Sequence, residues 1–188
     1  MIVAGIVAVL ALALGFALIL LYNALVRGRN LAEEAWSGIN VQLRRRHDLV
    51  PALLAAVQGY AAHEKDVLAA VAGAREAGMK AAGHGTQAVG AAEKGLDVAL
   101  GRLLAVAEAY PDLKADENFL HLQRSLSELE NDIQMARRYY NGTVRDQNNR
   151  ILQFPGNLVA GWFGFEKLEY FELSDEKEGR TPPLYSDL

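Results

Sequence analysis

The sequence predicts an all-α membrane protein, in which an N-terminal transmembrane helix precedes an antiparallel up-and-down four-helix bundle. Three observations support this prediction. The first 21 residues contain a long uncharged apolar run, and later apolar residues recur every three or four positions, as on one face of a helix. No stretch alternates apolar and polar residues with the period of two that is typical of a half-buried strand.

The apolar run, residues 2–21, is predicted to be a retained membrane anchor. Its 20 residues carry no charge, and a helix of about that length spans roughly 30 Å, the thickness of a bilayer's hydrocarbon core. The alternative is a cleaved signal peptide. No basic residue precedes the run, however, and the run is longer than the about 7–15 apolar residues of a signal peptide. Because Arg27 and Arg29 follow the run, we expect an external N-terminus and a cytoplasmic remainder.

Small residues within the run recur at steps of four, three and four positions. These steps place on one helix face Ala4, Ala8, Ala11 and Gly15. Small residues let helices approach closely in lipid, so this face is a candidate surface for self-association. The chain is rich in alanine, however, and chance alone produces such stripes.

Residues 22–153 are predicted to form the bundle, with helices at about 22–46, 49–77, 88–110 and 116–153. A glycine-rich loop is expected at about 78–87. Pro111 is predicted to end the third helix, and Asp116 to cap the N-terminus of the fourth. The fourth helix is expected to stop at the sequence "FPG", residues 154–156.

The stretch "RRRHDLVP", residues 44–51, is predicted to be a corner between the first two bundle helices. Arg46 falls on the apolar stripe, and burying an arginine without a partner is costly. Asp48 suits the N-cap of a new helix, and Pro51 suits its first turn. Such a corner would present a basic surface to a partner, formed by Arg44, Arg45 and Arg46. The alternative is one long kinked first helix, giving three long helices, because the three-four spacing crosses the stretch without a slip.

The pattern YNxxVRxxN occurs twice, at residues 22–30 and 140–148. In an up-and-down bundle the first and last helices are antiparallel neighbours near the bilayer. The two copies are therefore predicted to form a membrane-proximal polar layer from Tyr22, Asn23, Arg27, Asn30, Tyr140, Asn141, Arg145 and Asn148. The alternative is chance similarity between two helix surfaces.

Composition and motifs predict no catalytic, cofactor or metal site. The net charge of −4 argues against nucleic-acid binding, and the absence of cysteine excludes disulfides and thiol chemistry. None of the four histidines lies in an HExxH motif, and the pair Glu117 and His121 lacks the second copy that a di-iron bundle requires. No phosphate-binding glycine motif and no nucleophile elbow occurs.

Residues 154–171 are predicted to lie at the membrane interface or against a neighbouring subunit, since they are too few and too charged to cross a bilayer. The aromatic side chains available for such contacts are Trp162, Phe163, Phe165, Tyr170 and Phe171. The alternative is that this segment folds back onto the bundle. Residues 172–188 are polar and contain prolines, which predicts a flexible acidic tail.

Several segments of the chain resemble the LemA family of bacterial membrane proteins: "YNALVRGRN", "EEAWSGINVQLRRRHDLVPALLAAVQGYAAHE", "LGRLLAVAEAYPDLKADENFLHLQRSLSELEN", "ARRYYNGTVRDQN" and "FPGNLVAGWFGF". The resemblance covers residues 22–171. It implies an N-terminal anchor with an external N-terminus and a cytoplasmic antiparallel helical bundle. The family has no established enzymatic activity, some relatives are associated with forming or shaping internal membranes, and no catalytic residue carries over. The acidic ending "PPLYSDL" departs from the short apolar segment that often ends relatives.

The leading hypothesis is a non-enzymatic single-pass protein of the inner membrane that self-associates and acts as a membrane scaffold or membrane-organising protein. Its partners would be the lipid bilayer and further copies of itself. The second hypothesis is a membrane-anchored adaptor or sensor whose arginine corner recruits a cytoplasmic protein. A third hypothesis is a metal-dependent enzyme built inside the bundle.

Overall fold

The computed structural model describes residues 1–173, and every regular element in that range is a helix. The helices are α1 (Ile2–Tyr60), α2 (Lys65–Ala81), α3 (Thr86–Ala107), α4 (Pro111–Lys114), α5 (Glu117–Leu152) and α6 (Gly156–Phe163). Within the described range there is no strand, which confirms the predicted all-α class. The flexible tail predicted for residues 172–188 lies outside the described residues except at its first two positions.

The N-terminal part of α1 is long and apolar enough to cross a membrane. An 18-residue window has a mean hydropathy of 2.9, and none of that window is buried inside the chain. Apolar surface on this scale is unfavourable in water, whereas a helix satisfies its own backbone hydrogen bonds and is stable in lipid. The structure therefore provides the long apolar N-terminal helix that the sequence predicts.

The predicted corner at residues 44–51 is wrong, because α1 continues through this stretch and ends at Tyr60. The chain turns instead at residues 61–64, before α2 begins. The prediction failed at its premise that a buried Arg46 would lack partners. The side chain of Arg46 is buried between helices, where it forms ion pairs with carboxylates of other helices.

Pro51 lies inside α1 without ending it. A proline has no N–H, so the carbonyl four residues earlier loses its helical hydrogen bond. Here that carbonyl belongs to His47, and it accepts a hydrogen bond from Nε of Arg75 on α2 at 2.7 Å. An arginine of the neighbouring helix thus replaces the missing backbone donor.

The other helix ends agree more closely with the sequence. Phe119 N donates to Oδ1 of Asp116 at 2.8 Å, which confirms the predicted N-cap of α5. The loop between α2 and α3 is restricted to residues 82–85, shorter than the predicted loop. Gly83 and Gly85 in this loop have φ values of +85° and +92°, a conformation that side chains rarely adopt.

Contacts within the chain divide it into two compact units. Unit 1 comprises Met1–Ile39 and Met135–Tyr170, and unit 2 comprises Asn40–Gln134 and the described residues 171–173. Unit 2 packs segments of α1, α2, α3 and α5 around an apolar core that includes Val50, Leu53, Val57, Val71, Leu96, Leu103, Leu113, Phe119 and Leu126. Unit 1 has a smaller core, formed by Leu25, Ile151, Val159 and Ala160. Burying each large apolar side chain contributes about 1.5–3 kcal/mol to stability.

We expect Arg75→Met to destabilise unit 2 by about 1–3 kcal/mol, since it leaves the His47 carbonyl without a donor. In a Pro51→Ala background the same change should cost less, because the restored N–H of residue 51 bonds to that carbonyl. Both effects are measured by urea denaturation of the full-length variants in detergent, with circular dichroism as the signal. Equal losses in the two backgrounds would show that Arg75 does not compensate for Pro51.

Candidate functional site

Unit 2 contains a buried group of charges centred on Arg46 of α1. Its Nη1 lies 3.4 Å from Oε2 of Glu93, and its Nη2 lies 3.0 Å from Oε1 of Glu130. Nη2 also pairs with Oδ1 of Asp97. Glu93 and Asp97 belong to α3, and Glu130 belongs to α5. We call these four residues and His47 the charged cluster.

His47 joins the cluster through the second oxygen of Glu93. Its Nε2 lies 2.7 Å from Glu93 Oε1, so one buried carboxylate contacts both Arg46 and His47. The backbone of α2 approaches this pair at Gly78. A Cβ atom at Gly78 would lie 2.8 Å from His47 Nε2 and 2.9 Å from Glu93 Oε1, which is too close for an alanine without a local shift.

The cluster contains three carboxylates and one arginine. Burial raises the pKa of the Glu130 carboxyl, the Arg46 guanidinium opposes that rise, and the charges of Asp97 and Glu93 add to it. Nε of Arg46 is buried without a hydrogen-bond partner among the described residues. Because a buried unpaired charge is expensive, the cluster ties the position of α1 to those of α3 and α5.

A cavity of about 580 Å³ opens beside His47 and Glu93. It is lined by Asn40, Leu43, Arg44, His47, Asp48, Gly78, Met79, Ala82, Gly83, Val89 and Glu93. A histidine paired with a carboxylate resembles part of a general acid–base site. The lining, however, contains no hydroxyl, thiol or amine that could act as a nucleophile. Among residues 1–173, no group of three or more His, Cys, Asp and Glu side chains is arranged to hold a metal ion.

In unit 1, α6 packs against α1 next to the end of its apolar stretch. Val159 and Ala160 are buried against Leu25 and Ile151. The ring of Tyr22 lies 4.8 Å from that of Phe163 and 5.8 Å from that of Phe165, measured between centroids. These contacts fix α6 beside residues 18–25 of α1.

A second surface of this region is largely uncovered within the described chain. Phe154 is 79% exposed and Trp162 is 74% exposed, and Leu158 and Phe163 are exposed as well. Leu158 and Trp162 are four residues apart, so they share one face of α6. We call Phe154, Leu158, Trp162 and Phe163 the aromatic face.

The two copies of YNxxVRxxN differ in their surroundings. The α1 copy exposes Asn23, Arg27 and Asn30. The α5 copy carries the buried Tyr140 and Asn148, together with the partly buried Asn141 and the exposed Arg145.

The buried residues of the α5 copy bind the chain that follows α6. Asn148 Nδ2 donates to the Leu168 carbonyl at 3.0 Å, and the Leu168 N–H donates to Asn148 Oδ1 at 2.8 Å. The Tyr140 hydroxyl donates to the Glu169 carbonyl at 2.9 Å. Burial raises the pKa of Tyr140, so this hydroxyl keeps its proton at neutral pH.

A hydrogen bond from this part of α5 to α1 is made by Gln147, a residue that the sequence analysis missed. Its Nε2 donates to the Leu25 carbonyl at 3.0 Å. Gly28 provides the space, because a Cβ there would collide with Gln147 Oε1. In the sequence, Gly28 inside an otherwise regular helix was the feature that could have indicated this close contact.

The structure separates the three predicted partner-binding arginines. Arg44 and Arg45 are exposed, whereas Arg46 is 1% exposed inside the charged cluster. Only the first two are therefore accessible to a partner. In the predicted small-residue face, Ala4, Ala8 and Ala11 are exposed and Gly15 is partly buried.

The five aromatic side chains predicted to make contacts differ in their exposure. Trp162 and Phe163 are exposed, and Phe165 and Tyr170 are partly buried. Phe171 is fully buried in unit 2, where it lies beside Gly90. Phe171 is thus a core residue of unit 2.

Replacing Arg46 tests the importance of the charged cluster. We expect Arg46→Met to lower the free energy of unfolding by about 3–5 kcal/mol, since it leaves the buried Glu93 without its cation. The matched control Arg44→Met removes an exposed arginine of the same run and should change stability by less than about 0.5 kcal/mol. Denaturation of both full-length variants provides the comparison. If both variants lose a similar free energy of unfolding, the buried ion pairs of Arg46 contribute no more to stability than an exposed arginine does.

Alanine substitutions at two glycines of α2 test whether its backbone approaches His47 closely. We expect Gly78→Ala to destabilise the protein by about 1–3 kcal/mol through overpacking. Gly73→Ala has nothing within 4 Å of the added Cβ, so it should stabilise α2 by up to about 1 kcal/mol. Thermal unfolding in detergent measures the two shifts. A gain at both positions would contradict the packing described at Gly78.

Comparison with known proteins adds relatives that share most of the chain. It is 27% identical to Magnetosome protein MamQ 2 of Paramagnetospirillum magneticum, over 91% of this chain and 71% of that protein. It is 29% identical to Magnetosome protein MamQ of Magnetospirillum gryphiswaldense, over 88% of this chain and 69% of that protein. Protein LemA of Metamycoplasma hominis is 27% identical over 81% of this chain and 69% of its own length.

The sequence profile of the LemA family matches residues 35–184, from the second half of α1 to beyond the described residues. The match covers the charged cluster, α5 and the aromatic face. The apolar helix and the relatives together indicate a membrane-associated protein. By this match over most of its length, the chain belongs to the LemA family.

Proposed function

We propose that this protein is a non-enzymatic single-pass membrane protein that self-associates and acts as a membrane scaffold. The observation that carries the proposal is the apolar part of α1, of which nothing is buried within the chain across an 18-residue window. Such a surface needs lipid, or lipid together with other copies of the same helix, to cover it.

The distribution of basic residues supports one orientation. Arg27 and Arg29 are exposed just after the apolar stretch, and residues 1–26 contain no lysine or arginine. Short basic segments are retained in the cytoplasm. We therefore place the N-terminus outside, and the charged cluster and its helices on the cytoplasmic side of the inner membrane.

The small-residue face supports self-association within the membrane. Ala4, Ala8 and Ala11 are all exposed, and a Cβ at Gly15 would meet nothing within 4 Å. A second helix could approach this face closely, and close approach drives helix association in lipid. The names of the relatives, LemA and magnetosome protein, denote no reaction, which favours an organising role over catalysis.

A second candidate function is favoured by one observation at the surface of unit 2. Arg44 is exposed and also lines the 580 Å³ cavity, together with Asp48. An adaptor would use this charged rim to recruit a cytoplasmic protein. In that case Arg44→Glu would abolish capture of a specific partner and leave the oligomeric state unchanged.

The scaffold proposal is tested by counting copies of the full-length protein in lipid. We expect the native protein, labelled and reconstituted in bilayers, to form oligomers detected as several photobleaching steps per particle. Ala8→Leu should shift the distribution towards monomers, because the larger side chain holds the helices apart.

The matched control is Ala13→Leu, which adds the same side chain to the opposite face of α1 and should leave the distribution unchanged. Native protein that stays monomeric at every protein-to-lipid ratio would refute self-association. If Ala8→Leu and Ala13→Leu change the number of copies per particle equally, the small-residue face is not the specific contact between the helices.

A further inference from the structure

The aromatic face is an apolar surface in an uncharged part of the chain. Residues 151–165 contain no Asp, Glu, Lys or Arg; Arg150 directly precedes them, and Glu166 and Lys167 directly follow. Phe154, Leu158, Trp162 and Phe163 are at least half exposed. Exposed apolar patches of this kind mark binding surfaces.

The aromatic face adjoins the membrane-spanning part of α1. The opposite side of α6 packs on Leu25 through Val159 and Ala160. At the edge of the aromatic face, Phe163 contacts Tyr22 of α1. These α1 residues are the last ones before Arg27, where the uncharged stretch ends. If α1 spans the bilayer, α6 is held where the hydrocarbon core meets the headgroups.

We infer that α6 lies in the membrane interface and that the aromatic face binds lipid at the boundary between acyl chains and headgroups. This inference rests on the membrane span of the proposed function. The eight-residue α6 is far shorter than the about 20 residues needed to cross a bilayer, so it contacts one leaflet only. The protein then holds the membrane at two places, through the span and through α6.

The chemistry of the surface fits lipid better than a second copy of the chain. Tryptophan and tyrosine are enriched at membrane interfaces, where a ring meets both hydrocarbon and water. The aromatic face also adjoins α1, because Phe163 contacts Tyr22 and Phe154 lines the same groove as Leu21. In the proposed function lipid already covers the exposed apolar surface of α1.

A small groove beside the aromatic face has a similar character. It measures about 150 Å³ and is lined by Leu21, Ala24, Leu25, Arg150, Gln153, Phe154, Pro155 and Gly156. Its lining is mostly apolar, and its only charged member is Arg150. An acyl chain against the leucines, with a phosphate near the guanidinium, matches this arrangement.

The two tryptophans allow a direct test in the full-length protein. Trp36 is partly buried and lies 5.4 Å from Tyr140, measured between ring centroids. Trp36→Phe therefore leaves Trp162 as the only reporter of the aromatic face. The variant is reconstituted in bilayers of phosphatidylcholine and phosphatidylglycerol whose acyl chains are brominated either near the headgroup or near the chain end.

We expect Trp162 to lose about half or more of its fluorescence to lipids brominated near the headgroup, and less to lipids brominated near the chain end. This order follows from an interfacial helix buried only about 5–10 Å into the bilayer. The matched control, Trp162→Phe, retains Trp36 and should show little quenching by either lipid. If Trp36→Phe impairs folding, the quenching of Trp162 is obtained instead as the difference between the native protein and Trp162→Phe.

Two outcomes would overturn the inference. Emission of Trp162 that is unaffected by bromine but quenched by aqueous acrylamide would place the ring in water. Blue-shifted emission without bromine quenching, dependent on the protein-to-lipid ratio, would show that a second copy covers the aromatic face.

Alkaline extraction of the same vesicles separates this inference from the proposed function. Protein that stays in the bilayer with Trp162 unquenched refutes the position of α6 and leaves the span intact. Protein released by alkali refutes the span, and the inference with it. Quenched Trp162 in particles that are monomeric by photobleaching supports the lipid contact and refutes self-association alone.

Discussion

Burying the guanidinium group of Arg46 obliges unit 2 to bring three carboxylates from two other helices to one point. The apolar core around Leu53 and Leu96 is non-directional, and such cores tolerate repacking. The charged cluster is directional, because each oxygen must lie near a particular nitrogen. Glu93 links this arrangement to His47, and Gly78 lets α2 approach the pair. All four long helical segments of unit 2 therefore meet at one ionic site, which specifies their register more narrowly than hydrophobic contact alone.

Unit 1 combines internal polar bonds with apolar surfaces that the chain leaves uncovered. Asn148 and Tyr140 bond to the backbone of residues 168 and 169, and Gln147 bonds to the backbone of α1. These bonds satisfy groups that would be costly to bury alone. These bonds lie inside unit 1, whereas the apolar part of α1 and the aromatic face are open. Open apolar surface of this extent supports a protein that functions in contact with lipid.

The sequence predicted the helices well where the signals are local. Apolar spacing identified α3 and α5, and the Asp116 cap and the "FPG" stop located both ends of α5. It failed at residues 44–51, because local spacing cannot reveal that Glu93, Asp97 and Glu130 converge on Arg46. Composition likewise marked residues 154–171 as aromatic without distinguishing the exposed Trp162 from the buried Phe171. Those distinctions depend on tertiary contacts between residues far apart in the chain.

The hydrogen bond from Arg75 to the His47 carbonyl has a consequence for the order of assembly. Synthesis proceeds from the N-terminus, so Pro51 emerges before the arginine that compensates for it. Until α2 docks, the carbonyl of His47 has no donor from within its own helix, and a proline there favours a bend. We therefore expect the nascent α1 to bend more readily at Pro51 until α2 docks. The apolar N-terminal segment would then emerge while the helix behind it can still change direction.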